Sequence, residues 1–120
     1  MKVIIVGCGK VGYTLAETLS NEGLDITVVD SSAQKLEGLA NSLDVQCVTG
    51  NGASYRVLEE AGVSQCDLVI AATSSDEVNM LCCLIARKAG HCRTIARVRN
   101  PEYSESLRFI QDDLGLSMAI

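Results

Sequence analysis

Three glycines near the start of the chain have the spacing of a phosphate-binding loop. Gly7, Gly9 and Gly12 form the motif GCGKVG, which follows an apolar run and opens a stretch of helical periodicity. The first glycine of such a loop permits a tight turn, the second lets a pyrophosphate approach the backbone, and the third lets the helix pack on the strand. Unpaired N–H groups at the helix start attract the phosphates. The motif predicts a dinucleotide site, with a ligand-free glycine turn as the alternative.

Asp30 is the second part of this fingerprint. It ends an apolar run about 20 positions after Gly9, where an acidic side chain accepts hydrogen bonds from an adenosine ribose. A carboxylate there repels a 2′-phosphate, and Ser31, Ser32 and Ala33 supply no arginine to replace it. The sequence therefore favours NAD or NADH over NADP. The alternative is a solvated strand-end residue or a part of the next helix cap.

Two other residues inside the glycine loop carry reactive or charged side chains. Lys10 could meet a phosphate of the nucleotide, or it could be a solvated lysine on the helix surface. Cys8 is expected to be a small filler, because no partner base in the sequence supports nucleophilic catalysis. The single histidine, His91, is predicted in a loop at the edge of the sheet opposite the nucleotide. The sequence thus predicts binding without catalysis.

A parallel sheet is needed to bring these residues together. The chain alternates β-rich runs with amphipathic stretches, which predicts a doubly wound, Rossmann-type α/β fold with three αβα layers. Strands are predicted at residues 2–6, 25–30, 45–48, 67–72 and 94–98, with a sixth beginning within 116–120. The predicted helix caps and stops are Ser31 with Gln34, Ser54, Ser74 with Glu77, Asn100 with Pro101, and the glycines Gly23, Gly62 and Gly90.

The bulk composition excludes several kinds of protein. The 120 residues suffice for one domain, with globular proportions of 48% hydrophobic and 21% charged residues. A net charge of −5 argues against nucleic acid as a partner. No apolar run approaches the ~20 residues of a membrane span, and the first strand starts at Lys2, so we expect a cytoplasmic chain without membrane insertion. Because the chain stops inside an apolar run, we expect residues 1–120 to be one domain of a longer protein.

The six cysteines do not have the spacing of a metal site. No CxxC pair occurs, and His91 adjoins Cys92, where neighbouring side chains rarely share a metal. Four other cysteines lie in or beside apolar runs: Cys47, Cys66, Cys82 and Cys83. We expect these to be buried free thiols, and we expect no structural metal.

Four segments of the chain are similar to one known family. They are KVIIVGCGKVGYTLAE at the start, GNGASYRVLEEAG at 50–62, DLVIAATSSDEVNM at 67–80 and TIARVRNPEY at 94–103. They resemble the N-terminal domain of the TrkA family of potassium-uptake proteins, which is of the RCK class, and the similarity extends over essentially the whole chain. TSSDEVNM and IARVR are not features of ordinary dehydrogenases.

The resemblance implies the residues of the nucleotide site. It places the nucleotide on the loop from Gly7 to Val11, with Asp30 on the adenosine ribose. Further residues expected beside the ligand follow the fourth and fifth strands: Thr73, Ser74 and Arg97. The family often has Asp on the adenine side, where this chain has Asn51.

The resemblance also implies the ligands and the partners. It predicts NAD or NADH as the ligand, and other members of the class bind ATP or ADP in the same groove. It predicts a cytosolic regulatory protein, not an enzyme, that self-associates and acts at the inner face of the membrane on a potassium-transporting subunit of the TrkH or TrkG type. Two other hypotheses stay open: the cofactor-binding half of an NAD-dependent dehydrogenase, and a dimerisation scaffold that binds no nucleotide.

Overall fold

The fold is seen in a computed structural model, which describes residues 1–115 and 118–120. Within these residues the strands are β1 (Lys2–Val6), β2 (Asp25–Asp30), β3 (Gln46–Thr49), β4 (Leu68–Ala71), β5 (Arg93–Ala96) and β6 (Met118–Ala119). The helices are α1 (Lys10–Asn21), α2 (Ala33–Ser42), α3 (Tyr55–Glu60), α4 (Asp76–Gly90) and α5 (Tyr103–Leu114), with a 3₁₀ turn at Val63–Gln65.

The strands form one parallel sheet in the order β3-β2-β1-β4-β5-β6. β1 pairs with β2 on one side and with β4 on the other, so the direction of winding reverses between β1 and β4. This is the Rossmann order, and a crevice forms at that switch point. The predicted doubly wound fold is confirmed. The predicted bounds of β3, β4 and β5 differ from these by one or two residues, and Leu116, where a sixth strand was predicted to begin, lies outside the described residues.

β1 contributes to both hydrophobic cores of the three-layer structure. Val3 and Ile5 belong to the core under α1 and α2, whereas Ile4 and Val6 belong to the core under α3, α4 and α5. All four are at most 1% exposed. Successive side chains of a strand point to opposite faces, so a continuous apolar run is typical of a strand covered on both sides. This burial fixes the place where the loop after β1 begins.

Two glycines of that loop have no room for a side chain. Gly7 has a positive φ of 110°, and a Cβ on it would lie 2.7 Å from the carbonyl oxygen of Ala72. A Cβ on Gly12 would lie 1.8 Å from the carbonyl oxygen of Gly7. Around the Cβ position of Gly9, in contrast, there is no atom within 4 Å. The fold therefore requires Gly7 and Gly12, and Gly9 leaves open space beside the backbone.

The N-terminal cap of α2 differs by one residue from the predicted cap. The hydroxyl of Ser32 accepts a hydrogen bond from the N–H of Lys35, so the predicted cap at Ser31 with Gln34 is wrong. The physical reason is a turn at the end of β2. The Asp30 carboxylate accepts a hydrogen bond of 2.8 Å from the N–H of Ser32, and Ser31 lies inside this turn.

The cap of α4 is also shifted by one residue, to Ser75. The predicted cap at Ser74 is wrong, because the hydroxyl of Thr73 accepts a hydrogen bond from the N–H of Ser75 and so adds a turn before the helix. Glu77, the predicted acidic partner, does contact the cap, since its carboxylate accepts a hydrogen bond from the Ser75 hydroxyl. The predicted cap of α3 at Ser54 is confirmed.

Two further helix boundaries differ slightly from prediction. Gly90 remains inside α4, and His91 follows it in the left-handed conformation with a φ of 54°. Gly90 is required for space, because a Cβ on it would lie 2.1 Å from the carbonyl oxygen of Val63. The predicted start of α5 at Asn100 with Pro101 is wrong, because Pro101 and Glu102 form a turn closed by a hydrogen bond from the N–H of Tyr103 to the carbonyl oxygen of Asn100, and α5 begins at Tyr103. The predicted stops with a positive φ are confirmed at Gly23 and Gly62.

The six cysteines are free thiols. Cys66, Cys82 and Cys83 are buried as predicted, whereas Cys47 is half-buried. Burial raises the pKa of Cys82, and it raises the pKa of Cys83 to about 12, so both are neutral thiols in the core. Across residues 1–115 and 118–120, no cluster of three or more His, Cys, Asp or Glu side chains is placed to hold a metal ion.

Alanine at two helical glycines is expected to change stability in opposite directions. Gly12 is buried where a Cβ has no room, so Gly12→Ala should lower the free energy of unfolding by about 3 kcal/mol. Gly38 is exposed in α2 with open space at its Cβ position, so Gly38→Ala should raise it by about 0.5–1 kcal/mol. Urea unfolding measures both, and a Gly12→Ala variant as stable as the parent would contradict the packing described.

Candidate functional site

A cleft of about 610 Å³ opens at the carboxyl edge of the sheet, between the loops that follow β1 to β5. Its volume lies in the range of small-molecule sites. The predicted site residues that line it are Gly7, Cys8, Gly9, Lys10, Val11, Asp30, Asn51, Thr73, Ser74 and Arg97. Gly12 is the predicted residue that does not line it, because it packs behind the loop against Gly7. The fold thus brings distant parts of the sequence to one place.

The N-terminus of α1 faces this cleft without a side-chain cap. Its N-cap residue is Gly9, which provides no side-chain hydrogen bond to the first turn. α2, α3 and α4 are instead capped by serine hydroxyls, from Ser32, Ser54 and Ser75. The N–H groups of an uncapped first turn carry partial positive charge and bind anions. The first turn of α1 is therefore suited to a phosphate.

Asp30 is held between the glycine loop and the start of α2. One carboxylate oxygen accepts the N–H of Cys8 at 2.7 Å, and the other accepts the N–H of Ser32 at 2.8 Å. The bond to Ser32 is the local turn that the alternative interpretation expected, whereas the bond to Cys8 joins Asp30 to the glycine loop. Each oxygen retains acceptor capacity for a ligand hydroxyl. The structure therefore gives Asp30 a local role and a position suited to binding a ribose.

Thr73 forms part of the cleft wall, with its polar groups directed into the protein. Its N–H and its hydroxyl both donate to Oδ1 of Asn79, at 2.9 and 2.6 Å. Ser74 is exposed on the same wall. Asn51 is exposed on another side of the cleft, where its side-chain oxygen accepts a local backbone hydrogen bond. Contacts of Thr73, Ser74 and Asn51 with a ligand remain predictions.

The cleft is more positive than the chain as a whole. Its lining includes the basic side chains Lys10, Lys35, Arg97 and Arg99, and one acidic side chain, Asp30. The whole chain has a net charge of −5, so positive charge is concentrated at this edge of the sheet. Cations beside an uncapped helix start are suited to a ligand with several phosphate charges.

The sequence analysis did not name Arg99 or Lys35. The alternation of Arg97, Val98 and Arg99 carried a signal, because side chains two positions apart in an extended segment point to the same side. Lys35 carried no such signal, because its approach to the cleft depends on how α2 packs beside β2. Both side chains line the cleft in the structure.

Cys8 has the surroundings of a neutral thiol. Burial raises its pKa, and the nearby carboxylate of Asp30 raises it further. Its Sγ lies 3.9 Å from the carbonyl oxygen of Lys35. A nucleophilic cysteine requires a lowered pKa, so these surroundings favour the filler role that the sequence predicts.

The described fold has counterparts among known proteins. The family model described as the TrkA-N domain matches residues 3–117. The chain belongs to the TrkA-N domain family. The resemblance carried by the four sequence segments is confirmed.

Curated relatives of this TrkA-N domain are named for potassium uptake. The Trk system potassium uptake protein TrkA homolog of Methanothermobacter thermautotrophicus is 38% identical over 98% of this chain and 54% of its own length. The Trk system potassium uptake protein TrkA of Halomonas elongata is 48% identical over 86% of this chain and 23% of its own length. The chain thus spans about half of the first relative and about a quarter of the second. Neither relative is named as an enzyme.

Solved structures share the fold of this TrkA-N domain. The TrkA-N domain of the inner membrane protein ybaL from Escherichia coli has a TM-score of 0.87, with 22% identity over 99% of this chain and 85% of that one. The GsuK channel bound to NAD has a TM-score of 0.82, with 24% identity over 99% of this chain and 21% of that one. The Shewanella denitrificans Kef CTD in AMP-bound form has a TM-score of 0.81, with 20% identity over 98% of this chain and 70% of that one.

Proposed function

We propose that this TrkA-N domain binds NAD or NADH in the cleft and regulates a Trk-type potassium-uptake system. The observation that carries the proposal is the hydrogen bond from the N–H of Cys8 to Asp30, which joins a phosphate loop to a carboxylate suited to ribose within one cleft. The pyrophosphate is expected beside Gly9 and the first turn of α1, and the adenosine ribose is expected at Asp30.

ATP or ADP is the second candidate ligand. Lys10, Arg97 and Arg99 bring positive charge beyond the backbone N–H groups of α1, which favours additional phosphates. Proteins of the same fold are described in complexes with NAD and with AMP, so an adenine nucleotide is the ligand class that both lines of support share. The carboxylate of Asp30 favours a free ribose in either case.

The proposed partner is a potassium-transporting membrane subunit of the TrkH or TrkG type. The support is the naming of the relatives for potassium uptake. None of the helices described here is long and apolar enough to cross a membrane. The proposal places the domain at the inner membrane face, in contact with that partner. Self-association into a homo-oligomer belongs to the same proposal.

A regulator differs physically from the dehydrogenase alternative. A dehydrogenase needs a group that moves a proton beside the nicotinamide, whereas a regulator needs a ligand that binds two states with different affinity. The lining of the cleft includes no histidine, and His91 is exposed at the opposite edge of the sheet. These features favour the regulator.

Calorimetric titration with NADH, NADPH, ATP and ADP is expected to give tighter binding of NADH than of NADPH, because the Asp30 carboxylate repels a 2′-phosphate. Asp30→Ala should weaken NADH binding by on the order of 1.5–3 kcal/mol, which is about tenfold to a hundredfold. Asp30→Asn removes the charge and replaces one of the two accepting oxygens by an N–H donor, and it should reduce the discrimination against NADPH. Equal binding of NADPH by the parent would reject the preference, and binding of none of the four would favour the ligand-free scaffold.

Gly9→Ala is expected to separate binding from folding. The open space at Gly9 accepts a Cβ, so the free energy of unfolding should change by less than about 1 kcal/mol. The added methyl group stands where the pyrophosphate approaches, so NADH affinity should fall about tenfold or more. Gly38→Ala, a helical glycine outside the cleft lining, is the control and should bind as the parent does. Parental affinity in Gly9→Ala would show that the phosphates bind elsewhere.

The bound nucleotide is expected to change the assembly or conformation of the protein without being consumed. A ligand shifts an equilibrium only through a difference in affinity between two states, so NAD, NADH and ADP should stabilise them unequally. Solution scattering and crosslinking compare the ligand-bound forms of this chain. Identical assembly with every nucleotide, or oxidation of NADH by a small carbonyl substrate, would favour the dehydrogenase alternative.

A further inference from the structure

We infer that Asn79, a residue outside the lining of the cleft, is the positioning residue that holds Thr73 and Arg97 at the distance which nucleotide binding requires. The inference rests on the proposed function, since it concerns the wall of the same cleft. The segment TSSDEVNM, which contributed to the family resemblance, includes side chains that do not line the cleft. The inference gives one of these side chains, Asn79, a physical role.

Asn79 uses the hydrogen-bonding capacity of its amide fully. Its Oδ1 accepts from the N–H of Thr73 at 2.9 Å and from the hydroxyl of Thr73 at 2.6 Å. Its Nδ2 donates to the carbonyl oxygen of Thr73 at 3.1 Å and to that of Arg97 at 2.8 Å. An asparagine amide offers two donors and can accept two such bonds, and this side chain is 0% exposed. The amide is therefore committed to these two residues.

Asn79 lies just beyond the place where the backbone pairing of β4 with β5 ends, so a side chain is needed there to connect the two segments. The paired residues of β4 and β5 end at Ala71 and Ala96, and the last backbone bond runs from the N–H of Arg97 to Ala71. Thr73 lies two residues beyond that end. Asn79 bridges Thr73 and Arg97 from the first turns of α4, so its side chain continues the connection past the end of the sheet.

The neighbouring turn of α4 holds the second arginine in the same way. The carboxylate of Asp76 accepts the N–H of Arg99 at 3.1 Å and the N–H of Asn100 at 2.8 Å. The backbones of Arg97 and Arg99, whose side chains line the cleft, are thus both anchored to α4. Of these two anchors, the one at Asn79 is buried and joins two walls of the cleft.

Among the common side chains only glutamine carries the same donors and acceptors, and it places them one methylene group further from the backbone. A carboxylate at position 79 could accept from Thr73, but it would direct an oxygen at the carbonyl oxygens of Thr73 and Arg97, where Asn79 donates. Protonation of that carboxyl would restore one donor. Asn79→Asp should therefore bind nucleotide poorly at neutral pH and regain affinity on acidification, because burial raises the pKa of a carboxyl.

The test compares Asn79→Asp and Asn79→Ala with the parent by calorimetric titration of NADH and of ADP between about pH 8 and about pH 5. At pH 8 both variants should bind about tenfold more weakly or worse. Asn79→Asp should recover as the pH falls, whereas Asn79→Ala should not. The charged groups near position 79 are Asp76 and Glu77 on α4 and Arg97 and Arg99 after β5. The affinity of the parent measured over the same pH range shows how much their titration changes nucleotide binding.

Cys82→Ala provides a matched control for stability. Cys82 is buried in the same helix and packs in the core, so its loss should lower the melting temperature without changing the dissociation constant. Parental affinity in either Asn79 variant at pH 8, or an Asn79→Asp profile that follows Asn79→Ala throughout, would overturn the positioning role.

A ligand-free measurement separates this inference from the proposed function. Hydrogen exchange of the Thr73 amide, which donates to Asn79, should be faster in Asn79→Ala than in the parent and unchanged in Cys82→Ala. If the parent bound neither NADH nor ADP, the proposed function would fail, and this exchange experiment would still test whether Asn79 holds Thr73. Unchanged exchange of the Thr73 amide in Asn79→Ala would reject the positioning role of Asn79 itself.

Discussion

The close contact between the start of α1 and the end of β1 determines where everything else in the cleft lies. A Cβ on Gly12 would meet the carbonyl oxygen of Gly7, and a Cβ on Gly7 would meet that of Ala72. Because both positions exclude side chains, the first turn of α1 is held at the switch point between β1 and β4. The uncapped N–H groups of that turn and the carboxylate of Asp30 then face one space. Loss of this contact would separate the glycine loop from Asp30 and from the loop after β4.

The opposite wall depends on hydrogen bonds from the first turns of α4. Ser75 caps the helix, Asp76 holds the backbone of Arg99, and Asn79 holds Thr73 and Arg97. These bonds take over where the pairing of β4 with β5 ends. These hydrogen bonds hold in place the segment that contains Arg97 and Arg99. A domain with a net charge of −5 thereby has several basic residues in the lining of one cleft.

The segments that carry the resemblance to the TrkA-N domain family are also segments that build the cleft. The family match covers residues 3–117, and relatives named for potassium uptake extend well beyond this chain in length. Two of these segments, TSSDEVNM and IARVR, set the chain apart from dehydrogenases. They contain the residues of the cleft wall that is held by the first turn of α4. Their contribution is largely structural, because they hold one wall of the cleft, whereas the glycine loop presents the uncapped first turn of α1 to the same cleft.

The sequence by itself determined the doubly wound fold, the glycine loop and the burial of Cys66, Cys82 and Cys83, because periodicity, glycine spacing and turn residues act over short stretches of chain. It misplaced the caps of α2 and α4 by one residue, because the side chains of Asp30 and Thr73 form turns that compete for the same backbone groups. Only the tertiary structure brought Lys35 to the cleft and joined Asn79 to Arg97. Those contacts link elements far apart in the chain, and their geometry depends on how helices pack on the sheet.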